Sequence, residues 1–224
     1  YFFIWIGANN PINLDSFGIH INNVKHTWTI LLFIYSGIAS LIPVWILLQP
    51  RDYINSHQLI VGLSLIFFSI FLIQPKIIAP AITNLDKGPP IIPFLFVTIA
   101  CGAISGFHGL ISSGTTSKQV NKMKDARMIG YGATLGEGSL ALAATIAAIA
   151  GLSFVNIQSE TCLPWLCDFN TAKAGALNVF VAGSGGLLQQ IGLSNEISTT
   201  LVVVLVVSFA ATTLDSATRI QRYI

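Results

Sequence analysis

Residues 197–219 read ISTTLVVVLVVSFAATTLDSATR. The stretch holds one acid, Asp215, and one base, Arg219, at its far end. A surface helix of a soluble domain carries a charged face along its whole length, and this stretch has none. A bilayer core of roughly 30 Å takes about 20 apolar residues in helical form, so the segment reads as a membrane span. Strict period-two alternation is absent, and the run is too long for a strand of a membrane barrel. The rest of the chain agrees. Of 224 residues, 53% are apolar and 9% charged, and the mean hydropathy is +0.73. A soluble globule needs about 25% charged residues to form its polar skin, which disfavours a cytosolic enzyme and a disordered segment. A net charge of +2 provides no field for a polyanion, so no nucleic-acid partner is expected.

Working outward, four more stretches qualify as spans: 26–49, 53–74, 91–112 and 128–152. The expected fold is therefore an all-α polytopic membrane protein. It has about five transmembrane helices in one transmembrane domain, 1–224, without internal repeats. The apolar opening run, Tyr1 to Ile6, reads as the end of a preceding span. With no initiator Met, the chain reads as part of a longer protein whose upstream part is a partner of this one. Residues 174–193 differ, being rich in Gly and Ala and centred on Gly183-Ser184-Gly185-Gly186.

Loop charges set the sidedness, because cytoplasmic loops collect Lys and Arg. Lys118, Lys122, Lys124 and Arg127 stand against one acid, Asp125. That loop is placed inside, with anionic lipid as its contact. The loop 153–171 has two acids and no base and is placed outside. The tail with Arg219 and Arg222 returns inside. One crossing, 197–218, then suffices, so 174–193 is expected to be an amphipathic or re-entrant helix on the outer side. By the same count the pair Arg51-Asp52 forms an inner loop between the first two spans. Cys101 reads as packing. Cys162 and Cys167 share the outer loop, where a disulfide is one option. No Cys-x-x-Cys pair or His cluster suggests a metal.

Ionisable groups inside spans cost several kcal/mol and mark pathways or proton relays. There are three: His108, Glu137 and Asp215. His108 lies among Gly102, Gly106, Gly109 and Gly114, with hydroxyls at Ser105, Ser112, Ser113, Thr115 and Thr116. Such a segment either packs helices tightly or breaks and exposes backbone groups to a solute. The second reading makes Ser105, Gly106, His108, Ser112, Ser113, Thr115 and Thr116 candidate substrate contacts. Glu137, about ten residues from the basic loop, sits near mid-membrane as a candidate proton carrier, with a structural hydrogen bond as the alternative. Asp215 is a second candidate proton carrier. With Arg219 it also has the favourable i,i+4 order, which reads as an ion pair at an inner gate. No P-loop, dinucleotide-binding loop, nucleophile elbow or metalloprotease motif is present. No enzymatic activity and no cofactor are therefore expected.

Several blocks resemble the carbon starvation protein A family. They are PVWILLQPRDY at 43–53, PFLFVTIACGAISGFH at 93–108, SGTT at 113–116 with Lys118-Gln119, IGYG at 129–132 with Glu137-Gly138, and SFAATTLDSATRIQRY at 208–223. Ser117 departs from the Pro expected there. The resemblance implies a multi-pass secondary transporter of the bacterial inner membrane, which imports peptides, or pyruvate with protons, during carbon starvation. It also implies membership in a larger broken-helix, inverted-repeat fold. A sensor or structural subunit without transport is the alternative.

Overall fold

The computed structural model describes residues 2–9, 24–81, 91–104, 106–155, 163, 165 and 169–221. Ser105, Cys162 and Cys167 lie outside these residues. All regular structure in them is helical: α1 (Phe2–Asn9), α2 (Val24–Leu41), α3 (Val44–Ile73), α4 (Ile91–Ala103), α5 (Gly106–Ile111), α6 (Ser117–Gln119), α7 (Met123–Ile149), α8 (Phe169–Gln189) and α9 (Asn195–Gln221). A π-helical turn, Ser112–Thr116, joins α5 to α6, and a 3-10 turn, Gly151–Phe154, follows α7. Among the described residues, three helices are long and apolar enough to cross a membrane: Trp45–Ile73, Met123–Ile149 and Asn195–Gln221. The apolar stretch His26–Leu41 is shorter. The protein is thus an all-α polytopic membrane protein.

The helices α7 and α8 begin five residues earlier than the sequence expectation, at Met123 and Phe169, which makes Lys124, Asp125 and Arg127 helical rather than loop. Two further boundaries differ. The first break falls at Ile42-Pro43 rather than at Arg51-Asp52. A residue before proline is pushed out of the helical region, and Pro43 then starts α3 by accepting a bond from the Ile46 N–H at 3.1 Å. Arg51 and Asp52 lie inside α3, a helix of 30 residues that contains Pro50. At 1.5 Å per residue it is about 45 Å long. Charges had suggested a loop there, but a paired charge can remain in a span. The second difference is in 91–112, where the helix is interrupted at Ile104, between α4 and α5.

The chain divides into two compact units, 1–62 with 203–224, and 63–202. In the second unit, Ala143 and Ala147 of α7, Leu187 and Leu188 of α8, Ile66, Leu201 and Val202 form a buried core. Small residues bring α7, its following turn and α8 together. Gly183 sits against the Ala147 carbonyl and Gly151 sits against Gly183, with no room for a Cβ at either position. Close approach of this kind is how helices associate in lipid, where apolar burial alone drives little. The C-terminus of α8 leaves carbonyls without intrahelical donors. The buried Ser69 hydroxyl donates to one of them, Leu187, at 2.6 Å. Ser69→Ala is expected to lose about 0.5–1.5 kcal/mol, seen as a modest drop in the detergent-solubilised melting midpoint. An unchanged midpoint would show that the carbonyl does not need this donor.

In the first unit, α2, the start of α3 and the end of α9 share one polar cluster. The Arg219 guanidinium donates to the Ala39 carbonyl at 2.8 Å. Ala39 lies in the last turn of α2, where carbonyls are unsatisfied and a cation is favoured.

Candidate functional site

Two places gather the ionisable groups singled out in the sequence, one in each unit.

In the second unit, His108 of α5 and Glu137 of α7 approach each other, with Nε2 and Oε1 3.9 Å apart. They are separated by 29 residues in sequence, and nothing in their spacing predicted the meeting. Both side chains are more than half exposed in the chain, so neither is sealed in a core. At this distance a small rotation or a bridging water allows proton exchange. A Cβ added at Gly102, Gly109 or Gly114 would meet nothing within 4 Å beyond the local helix. No other described element packs closely on them. Close packing falls to Gly151, Gly183 and Gly186 instead.

The hydroxyls beside His108 are turned to their own helix. Ser112 donates to the Gly109 carbonyl at 2.9 Å and Ser113 to the Leu110 carbonyl at 3.2 Å. Such back-bonding uses the hydroxyl proton. The outward character of these oxygens is then that of acceptors, which suits a proton or an amino group better than an anion. Gly106 begins α5, and Thr115 and Thr116 lie in the π turn. A π-helical turn within helical surroundings is a frequent companion of functional sites. Downstream, the Arg127 guanidinium lies over the Tyr131 ring, 5.9 Å from its centroid.

In the first unit, Asp215 is fully buried. Its partner is Arg51 of α3, through Nη1 and Oδ2, and not Arg219, which is spent on the Ala39 carbonyl. The i,i+4 pair expected from sequence is thus replaced by a pair between helices. The physical reason is burial. An unpaired carboxylate in this setting is costly, and a guanidinium from a facing helix reaches it while Arg219 answers an orphan carbonyl. The same Nη1 donates to the Tyr35 hydroxyl at 2.7 Å, and that hydroxyl lies 3.5 Å from Asp215 Oδ2. Asn55 donates from Nδ2 to the Ser208 carbonyl at 3.3 Å. Sequence reasoning assigned Arg51 to a loop and passed over Tyr35 and Asn55. Among the described residues, no group of three His, Cys, Asp or Glu side chains is placed to hold a metal ion.

Comparison with known proteins bears on what these places serve. The family model described as carbon starvation protein CstA matches residues 3–163. The chain is 46% identical over 131 residues to the pyruvate/proton symporter BtsT of Escherichia coli (strain K12), covering 54% of this chain and 18% of that relative. It is 44% identical over 120 residues to the peptide transporter CstA of Helicobacter pylori (strain ATCC 700392 / 26695), covering 51% of this chain and 18% of the relative. With the peptide transporter CstA of Bacillus subtilis (strain 168) the identity is 42% over 130 residues, covering 55% and 22%. The matched region therefore spans about a fifth of the length of these relatives. No solved structure matches the chain.

Proposed function

Because the chain belongs to the carbon starvation protein CstA family, we propose that it forms part of a proton-coupled importer. Its solutes are peptides or pyruvate-like small carboxylates, its place is the bacterial inner membrane, and its use is the response to carbon starvation. The names of the relatives, a pyruvate/proton symporter and peptide transporters, support the solute class. Protons and the lipid bilayer are its other partners, and the reaction is movement of solute without chemical change.

One observation carries the proton-handling reading: His108 and Glu137 approach to 3.9 Å on weakly charged helices. An imidazole is the side chain whose charge changes nearest neutral pH, and a carboxylate beside it is the natural acceptor. In this reading the pair passes protons, Asp215 is a second proton-binding group, and Ser105, Gly106, Ser112, Ser113, Thr115 and Thr116 line the solute path. The basic segment Lys118 to Arg127, which runs through α6 into the start of α7, faces the cytoplasm, and α8 stays on the outer side without crossing.

The experiment is uptake of labelled pyruvate and of dipeptides by the protein in proteoliposomes under an imposed pH gradient. Glu137→Gln keeps the shape and removes the proton site. It is expected to lose most of the gradient-dependent uptake. Unchanged pH dependence in that variant would remove Glu137 from the mechanism. Binding without accumulation in the unaltered protein would favour a sensor over a transporter.

A further inference from the structure

The first unit contains a cleft of about 410 Å³, with Tyr35, Arg51 and Asn55 of α2 and α3 on one side and Val203, Val207 and Ser208 of α9 on the other. This is within the usual range for small-ligand pockets, roughly 300–1,000 Å³. Its chemistry is divided. One part offers a guanidinium, a phenol and an amide, and the other is a wall of valines. A small organic anion with a short apolar body matches such a lining. Arginine suits the anionic end, because its planar fork meets a carboxylate with two parallel N–H donors.

Arg51 has an unused donor, which is out of reach of the cleft until the guanidinium turns away from Asp215. Nη1 is engaged by Asp215 and the Tyr35 hydroxyl, whereas Nη2 is buried and has no hydrogen-bond partner. Asp215 is fully buried, and its Oδ1 is likewise without a partner. A buried donor or acceptor left unpaired is costly, and two on one ion pair imply a further occupant or a change of protonation.

We propose that this cleft binds the carboxylate of the transported solute on Arg51, and that Asp215 is the internal carboxylate which holds Arg51 when the cleft is empty and takes up a proton when the solute arrives. This rests on the transport reading above and assigns its substrate and coupling groups. The cause is electrostatic. Two carboxylates sharing one guanidinium in a desolvated setting repel each other. The incoming anion therefore competes for Arg51 most effectively when Asp215 is neutral. The other titratable or charged groups facing Asp215 are Tyr35 from α2, Asp52 beside Arg51 on α3, and Arg219 one turn along α9. Of these, Arg219 is held by the Ala39 carbonyl.

The cycle balances. One proton reaches Asp215 as one carboxylate reaches Arg51. On the other side the anion leaves, Asp215 releases its proton to the aqueous phase, and the ion pair re-forms. One negative charge and one positive charge cross together, so uptake is electroneutral.

The test uses the protein in sealed proteoliposomes with labelled pyruvate as probe, reading both pyruvate–pyruvate exchange and net accumulation. A gradient of one pH unit drives about tenfold accumulation when one proton is coupled. Asp215→Asn, a mimic of the protonated acid, is expected to keep exchange and make it independent of pH, while net accumulation falls from tenfold to none. Arg51→Lys keeps the charge and loses the fork, and is expected to raise KM for pyruvate by about tenfold or more. A potassium diffusion potential is expected to leave uptake by the unaltered protein unchanged.

Both variants alter a buried pair and can fail to fold, so a third measurement reads the cleft directly. Val207→Cys, in a background with Cys101, Cys162 and Cys167 replaced by Ser, presents a thiol on the exposed α9 wall of the cleft. Pyruvate is expected to slow its alkylation by a maleimide, and the uncharged methyl ester is expected not to. A parallel arm with dialanine separates a peptide's terminal carboxylate from a free keto acid as the natural occupant. If the unaltered protein moves pyruvate and neither solute protects Val207→Cys, the inference is overturned. Full proton-driven accumulation by Asp215→Asn overturns it equally. If the unaltered protein moves neither solute, the transport reading itself fails, and the protection experiment alone decides whether the cleft holds a carboxylate.

Discussion

Gly183→Ala is expected to prevent the second unit from forming its core. A Cβ at this position of α8 would lie well inside contact distance of the Ala147 carbonyl oxygen and 2.8 Å from its carbon. These are backbone atoms of α7, so no rotamer change relieves the clash, and the helices must move apart. Overpacking a well-filled interior costs typically about 1–3 kcal/mol, and a clash with backbone falls at or beyond the upper end. Separation would also open the contacts of Ala147, Leu187 and Leu188, all completely buried. The internal control is Gly185→Ala, two residues along the same helix, where the nearest atom is the Thr199 hydroxyl oxygen at 3.6 Å. That is ordinary contact. The melting midpoint and monodisperse yield in detergent are expected to fall sharply for Gly183→Ala and hardly at all for Gly185→Ala. Equal behaviour of the two would refute close backbone packing of α8 on α7.

The second large effect concerns the ion pair of the first unit. Arg51→Met is expected to destabilise by about 3–5 kcal/mol, the usual cost of stranding one partner of a buried pair. Asp215 is fully buried and the Arg51 side chain is 19% exposed, so water does little to screen the stranded carboxylate. The double variant Arg51→Met, Asp215→Leu removes both charges and is expected to recover much of that loss, because well-packed apolar replacements of buried pairs are often near neutral. A melting series on the two singles and the double measures the coupling directly. Strictly additive losses would mean that Arg51 and Asp215 do not sustain each other. The predicted pattern also separates roles: the double variant is folded yet has no group left for a carboxylate or for its proton.

The pairing of Asp215 shows where sequence reasoning stops. The cost of this acid was legible, because an Asp within 197–219 lies in a membrane span or at its inner end. Its neighbour was not legible. The i,i+4 rule favoured Arg219, and local geometry permits that pair. It lost to Arg51, a residue 164 positions away, because Arg219 answers the open carbonyl of Ala39 at the end of α2. The same limit applies to Glu137. Its isolation on an apolar helix was visible, but its approach to His108 depended on where the fold places α5 and α7. Glycine gave the converse lesson. The Gly-rich segment 102–114 drew attention, yet among the described residues the glycines pressed on backbone inside ordinary contact distance are Gly151, Gly183 and Gly186.

The amino-acid order alone determined that this chain is helical and dwells in a membrane. That follows from the scarcity of charge and from the length of its apolar runs, since hydrocarbon forces every backbone group to be satisfied within its own helix. It also determined which few side chains would be costly there. Only the tertiary structure decided how each cost is met: which guanidinium answers Asp215, which carbonyl receives Arg219, and which glycines let α7 and α8 touch. Those outcomes depend on distances between residues far apart in the chain, and periodicity and composition carry no information about such distances.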